Sequence, residues 1–184
     1  MEAVLPPETL APITLVLGGA RSGKSRYAEG LVAAQPGRHL YVATAQAGDA
    51  EMTARIARHR ARRGAGWQTR EEPLGLVAAL TEAQAGAVLV DCLTLWLSNL
   101  MHARRDPAAE TARLIAALPG LSCPVVFVSN EVGLGVVPDN ALARAFVDHA
   151  GSLHQRLGET AQSVVFMAAG LPWFLKRQTE DERP

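Results

Sequence analysis

Apolar residues along the chain fall into two rhythms. Short runs rich in aliphatic residues at 13–17, 39–43, 87–90, 124–129 and 163–168 read as strands, and the run at 87–90 is unbroken enough to predict burial on both faces. Between them, segments 25–34, 49–63, 73–84, 93–102, 107–118 and 140–157 read as helices. Residues 67–72 are expected to be extended or irregular, and 170–176 to lead into a polar tail at 178–184. Strands alternating with helices imply a three-layer α/β sandwich around a mostly parallel sheet with right-handed crossovers. No internal repeat or linker interrupts the pattern. The expectation is therefore one domain over 1–184, with 1–12 and 177–184 as flexible ends.

The first strand breaks into glycine and ends in Gly-Lys-Ser, which gives the sandwich a candidate chemistry. Gly18, Gly19, Ala20, Arg21, Ser22, Gly23, Lys24 and Ser25 meet the pattern G-x-x-x-x-G-K-S of a Walker A P-loop, with a strand before it and a helix after. Glycine at the ends lets the backbone turn its N–H groups inward, and the helix start adds its positive end to the same cavity. A polyphosphate fits there, with Lys24 reaching the β- and γ-phosphates and the Ser25 hydroxyl taking one place on Mg²⁺. The fold expected is thus P-loop NTPase-like. Kinases, GTPases, motors and repair ATPases share this loop, so the reaction must be read from other residues.

Composition removes several classes. Eighteen basic residues balance eighteen acidic ones, so no overall field draws the chain to nucleic acid or membrane. No segment has the apolar length of a membrane span, and residues 1–12 lack the basic start and apolar stretch of a secretory signal. Cys92 and Cys123 are far apart and without metal-ligand spacing, which reads as two buried free thiols in a reducing cytoplasm.

In an open parallel sheet, ligands sit beyond the carboxyl ends of the strands. That places Ala43, Thr44 and Ala45 on the rim shared with the P-loop, either as ligand contacts or as an ordinary strand-to-helix turn. Asp91 follows one buried strand and Glu131 lies just past another, and either carboxylate could attend Mg²⁺. A structural carboxylate is the alternative for each.

The helix at 49–63 has a thin apolar stripe, Met52 and Ile56, continued by His59. Arg55, Arg58, Arg60, Arg62 and Arg63 surround that histidine. The cluster is a solvated basic face, a nucleic-acid patch, or a nucleotide-handling group. In the last case the guanidinium groups keep His59 neutral and nucleophilic, and also hold a triphosphate. His39, His102 and His149 are weaker candidates. His154 shares a helix with Asp148 and Gln155 and is kept open.

These motifs together resemble the bifunctional adenosylcobinamide kinase / adenosylcobinamide-phosphate guanylyltransferase family of cobalamin biosynthesis. The likeness runs from about Ile13 to Lys176. It rests on Gly-Gly-Ala-Arg-Ser-Gly-Lys-Ser at 18–25, Tyr-Val-Ala-Thr-Ala at 41–45, and Glu-Met-x-x-Arg-Ile-x-x-His at 51–59. Trp-x-Thr-x-Glu-Glu-Pro at 67–73 and Ser-Asn-Glu-Val-Gly-Leu-Gly-Val-Val-Pro at 129–138 complete it. The resemblance implies two reactions. ATP or GTP phosphorylates the aminopropanol hydroxyl of adenosylcobinamide, and GTP then gives GMP to the new phosphate. It implies GMP carried on His59, guanine-nucleotide contacts at residues 18–25, Ala43, Thr44, Ala45, Arg60, Ala61, Arg62, Arg63, Glu71 and Asp91, a cytoplasmic protein, and a homo-oligomer, with a trimer favoured. Asp91 stands where many members carry glutamate, and His154 where the family usually has asparagine.

Two other classes remain beside it. A plain P-loop small-molecule kinase would use the arginines as a phosphate-binding lid and His59 structurally. A nucleotide-dependent switch or binding module would use the same loop to order a partner surface, although the chain carries no Asn-Lys-x-Asp guanine signature.

Overall fold

The computed structural model describes residues 10–46, 64 and 66–177. The helix predicted over 49–63, with His59 and its arginines, lies outside these residues, as do 1–9 and the tail at 178–184. Seven strands form one sheet: β1 (Ile13–Gly18), β2 (His39–Ala43), β3 (Trp67–Glu71), β4 (Ala87–Asp91), β5 (Val125–Asn130), β6 (Ser163–Ala168) and β7 (Leu171–Lys176). Their order is β3-β2-β4-β5-β1-β6-β7. Every pairing among these strands is parallel except that of β7 with β6. The helices are α1 (Lys24–Ala33), α2 (Leu76–Thr81), α3 (Leu93–His102), α4 (Pro107–Ala117) and α5 (Ala141–Thr160).

The period-two alternation of the strands divides the core in two. Leu15, Val42, Val90 and Phe127 turn toward Trp96, Leu97 and Leu100 of α3 and Leu153 and Leu157 of α5. Val16, Tyr41, Leu89, Val126 and Val128 turn the other way, onto Ala28, Leu31 and Val32 of α1. A single helix among those described thus covers one face over β1, β4 and β5, and the rest cover the other. This is the three-layer sandwich expected from the alternation of elements. Capping follows composition: Asp106 accepts from the N–H groups of Ala108 and Ala109 ahead of Pro107 at the start of α4, and Asn140 accepts from Ala143 N–H at the start of α5.

The departures lie at the edges. Residues 171–176, expected only to lead into the tail, form β7, whose Leu171, Trp173 and Leu175 are exposed while Pro172 and Phe174 are half-buried. Proline suits such an outer strand, because it donates no ladder hydrogen bond. Residues 67–71 form the opposite edge, β3. The helix predicted over 73–84 shortens to α2, because Glu72 folds back to accept from the N–H groups of Leu74 and Gly75 and delays the first turn. Order also begins before Ile13: Leu10 is buried in the α1-side core, and Pro12 O accepts from Val125 N–H. Cys92 is buried as expected, but Cys123 is only half-buried, and both thiols are free.

A buried polar contact pins α5 to the sheet. His154 Nε2 lies 2.7 Å from Ser129 Oγ, with both residues buried. Burial holds the His154 imidazole below its ordinary pKa, with the Glu131 carboxylate opposing in part, and burial does the same to His39. A histidine whose pKa is lowered by folding takes up its proton more readily when unfolded, so it penalises the native state as pH falls through the unfolded value of about 6.5. The melting temperature is therefore expected to drop between pH 7.5 and 5.5, and His154→Asn to show a shallower drop than wild type. Thermal denaturation across that range checks it, and an equal or steeper slope in the variant would contradict it.

Candidate active site

The loop after β1 is shaped by two glycines. At Gly18 φ is +155°, and a Cβ there would come within 2.6 Å of both Met167 O and Ser22 Oγ. At Gly23 φ is +95°, and a Cβ would meet Gly170 Cα at 3.3 Å. No side chain caps α1 at Gly23, so the first-turn N–H groups face the loop. Lys24 is buried and its Nζ donates to Gly19 O at 3.0 Å, laying the ammonium across the same cavity. Arg21 adopts φ +56°, and it is exposed along with Gly19 and Ala20. Ser25 is half-buried on the first turn of α1.

Two neighbours brace this loop. Gly18 O accepts from Glu131 N–H at 3.0 Å, and Ser22 O accepts from Gly170 N–H at 3.0 Å. The second contact comes from the turn between β6 and β7, which sequence reasoning does not connect to the P-loop. The positive φ of Gly170, +79°, belongs to a type of turn that a lone glycine beside an unrecognised strand does not announce. Ser22 Oγ is buried and has no hydrogen-bond partner among the described residues. A buried hydroxyl at the mouth of a cradle of N–H groups suits an oxygen-rich ligand.

Across the rim, register decides which side chains share a face. Ala43 lies opposite Glu71 in β3 and Asp91 in β4. In parallel neighbours such partners point the same way, and Tyr41 and Leu89, two residues back, belong to the α1-side core. Glu71, Ala43 and Asp91 therefore form a row on the α1 face, the face of the P-loop helix. Tyr41 Oη donates to Asp91 Oδ2 at 3.1 Å, which fixes the carboxylate.

Glu131 points elsewhere. Ser129, two residues before it, turns with Phe127 toward α5, and the Glu131 carboxylate follows: Oε1 accepts from Gly133 N–H at 2.6 Å and Oε2 lies 3.7 Å from His154 Nδ1. The two rival carboxylates thus sit on opposite faces of the sheet. Glu131 is one strand from β1, and Asp91 two.

Thr44 is wholly buried, and its hydroxyl is occupied by the backbone of Cys92, donating to O and accepting from N–H at 2.8 Å each. Asn99 Nδ2 donates to Thr44 O at 2.8 Å. The side chain thus ties the β2 rim to the β4 rim and is turned away from solvent. Cys92 Sγ lies 3.1 Å from Thr94 Oγ1, which accepts from Asn130 Nδ2 at 2.9 Å. Burial and then the Asp91 charge push the Cys92 thiol up, while its bond to Thr94 and the Lys24 charge oppose. The thiol is therefore protonated at neutral pH and acts as a spacer. Thr94, Asn99 and Asn130 complete a polar lattice under the rim; only Asn130 is marked by its place at a strand end. His59, Arg60, Ala61, Arg62 and Arg63 lie outside the described residues, and Ala45 continues the rim beyond Thr44.

Comparison with known proteins agrees with the fold. Solved structures share the fold at low sequence identity. The flagellar accessory protein FlaH from Methanocaldococcus jannaschii has a TM-score of 0.54 at 12% identity, covering 91% of this chain and 79% of its own. The RadB recombinase has a TM-score of 0.52 at 17% identity, covering 85% and 75%. Sequence relatives are nearer. The bifunctional adenosylcobalamin biosynthesis protein CobP of Pseudomonas aeruginosa is 55% identical over 167 residues, spanning 88% of this chain and 96% of its own length. The protein CobU of Salmonella typhimurium, described in the same words, is 41% identical over 174 residues, spanning 85% and 96%. Residues 14–175 match the family described as cobinamide kinase / cobinamide phosphate guanyltransferase, so from the first residues of β1 to the end of β7 this chain belongs to that family.

Proposed function

We propose that the protein is a bifunctional transferase that phosphorylates adenosylcobinamide with ATP or GTP and then converts the product to adenosylcobinamide-GDP with GTP. The observation that carries this reading is the family match over residues 14–175, laid on a P-loop whose cradle, lysine and helix terminus are all in place. In the first reaction the substrate hydroxyl oxygen attacks the γ-phosphorus and gives up its proton to solvent, the bond to the β-phosphate oxygen breaks, and the nucleoside diphosphate leaves. The phosphates would rest on the N–H groups of residues 19–25, with Lys24 against the β- and γ-phosphates.

In the second reaction, neutral His59 attacks the α-phosphorus of GTP and pyrophosphate leaves, so that GMP is held through a P–N bond. An oxygen of the corrinoid phosphate then attacks that phosphorus, the P–N bond breaks, and the imidazole is restored. Arg60, Arg62 and Arg63 would neutralise charge as it builds on the phosphates, and the Ala61 and Ala43 to Ala45 backbone, Glu71 and Asp91 would contact the nucleotide. The row formed by Glu71, Ala43 and Asp91 on the α1 face supports a nucleotide lying there. In-line attack needs His59 within reach of the α-phosphate of a nucleotide held on the loop.

The Ser25 hydroxyl and the Asp91 carboxylate are the oxygen donors that would hold Mg²⁺, and the sharing of one face by α1 and Asp91 favours Asp91 over Glu131 for this. A site with one or two protein oxygens suits an ion that keeps its waters and takes phosphate oxygens. When bound, it neutralises phosphate charge. Cytoplasmic location and assembly as a homotrimer belong to the same reading and rest on the family likeness.

Chromatography of adenosylcobinamide after incubation with ATP, and then with GTP and Mg²⁺, tests the two reactions. Wild type is expected to give the phosphate and then the GDP derivative. Lys24→Ala is expected to lose roughly 100-fold or more in both, because it removes a charge aimed at the phosphates. His59→Ala is expected to lose the second product and keep the first. A wild type that stops at the phosphate, with His59→Ala matching it, would point to the plain kinase.

A further inference from the structure

Glu131 borders a cleft that the nucleotide reading does not use. The cleft, of about 360 Å³, lies between the loop after β5 and the outer face of α5, where Val147, Asp148, Gly151, Ser152 and Gln155 join Glu131 along its walls. Its polar groups are chiefly acceptors: two carboxylates, an amide oxygen and a hydroxyl. Its Glu131 corner is rigid, because the carboxylate is fixed by Gly133 N–H and faces His154, itself held on Ser129. That corner also touches the P-loop directly, through the Glu131 N–H on Gly18 O.

Beside the cleft the chain spends apolar surface on solvent. Leu134 is 81% exposed, Val136 96% and Val137 76%, all within one short loop. Apolar side chains clustered so fully in water mark a binding surface more often than a packing accident. They follow directly on Gly133, which lines the acceptor-rich hollow, and so form an apolar lip beside it.

We propose that this cleft and lip seat the corrinoid, resting on the functional reading above. The substrate of that reading is a large macrocycle, apolar on its methyl-bearing faces, fringed with amide N–H donors and carrying net positive charge on its alkylated cobalt core. Its terminal hydroxyl must meet a γ-phosphate held on the P-loop. The lip offers the macrocycle an apolar rest, and Asp148, Ser152 and Gln155 accept from peripheral amides. Glu131, one strand from β1, accepts the hydrogen bond of the reacting hydroxyl and points it at the phosphate. Nucleotide and acceptor thus approach the P-loop from opposite faces of the sheet, Asp91 on the first and Glu131 on the second. His154 is a positioning residue here, setting the direction of the Glu131 carboxylate.

Gly151 allows a direct test. A Cβ at this helical position meets nothing within 4 Å, so Gly151→Leu fills the cleft without disturbing the helix. Steady-state KM values are measured for adenosylcobinamide and for ATP, alongside labelling of the protein by GTP, which needs no corrinoid. Gly151→Leu is expected to raise the corrinoid KM roughly tenfold or more while leaving the ATP KM and GTP labelling at wild-type values. Val136→Asp, at a position 96% exposed, is expected to do the same and decides the matter if Gly151→Leu does not fold. An unchanged corrinoid KM in the folded variants would overturn the seat and leave the functional reading intact. A wild type that neither binds nor phosphorylates adenosylcobinamide would overturn both.

Discussion

A single close approach governs the site. At Gly18 the backbone turns where no side chain fits, since any Cβ would strike the Met167 carbonyl and the Ser22 hydroxyl at 2.6 Å. That turn lets the following residues curl their N–H groups inward, and three hydrogen bonds then hold the curl. Glu131 N–H reaches Gly18 O, Lys24 Nζ reaches Gly19 O, and Gly170 N–H reaches Ser22 O. The loop is therefore held in shape by the protein's own groups. Preorganisation of this kind places the donors without reorganisation at the moment of transfer.

The sheet around that loop separates two carboxylates. Parallel register puts Glu71, Ala43 and Asp91 in one row above α1, while the next strand delivers Glu131 to the α5 side. A side chain's face follows from its parity along the strand, so two carboxylates at adjacent strand ends face opposite sides of the sheet. Between them the lattice of Thr44, Cys92, Thr94, Asn99 and Asn130 locks β2, β4 and β5 together at the rim. Such a lattice holds the three strand ends in fixed register with one another.

Much of this is legible in the residues. The P-loop is plain because its pattern and flanks are local, and the central strands because burial on both faces leaves unbroken apolar runs. Edge strands leave no such run: no residue of Trp67–Glu71 is fully buried, and Leu171–Lys176 turns its leucines and tryptophan outward. Glu72 shortens α2 through a local side-chain bond that competes with the first helical turn, which helix periodicity does not register. Within the site, Thr44 is marked by position, yet its hydroxyl is consumed by the backbone of Cys92, 48 residues further along the chain. The facing of Asp91 and Glu131 depends on strand register, and the bracing by Gly170 on a hairpin; neither leaves a trace in spacing.

The central claim is that one rim runs both phosphoryl and nucleotidyl transfer, the latter through His59. The most direct measurement is the intact mass of the protein after incubation with GTP and Mg²⁺, quenched without acid because phosphoramidates are acid-labile, for wild type and His59→Ala. The account predicts one added GMP on wild type and none on the variant. A folded, nucleotide-binding wild type that gains no GMP, or a variant that gains it equally, would contradict it.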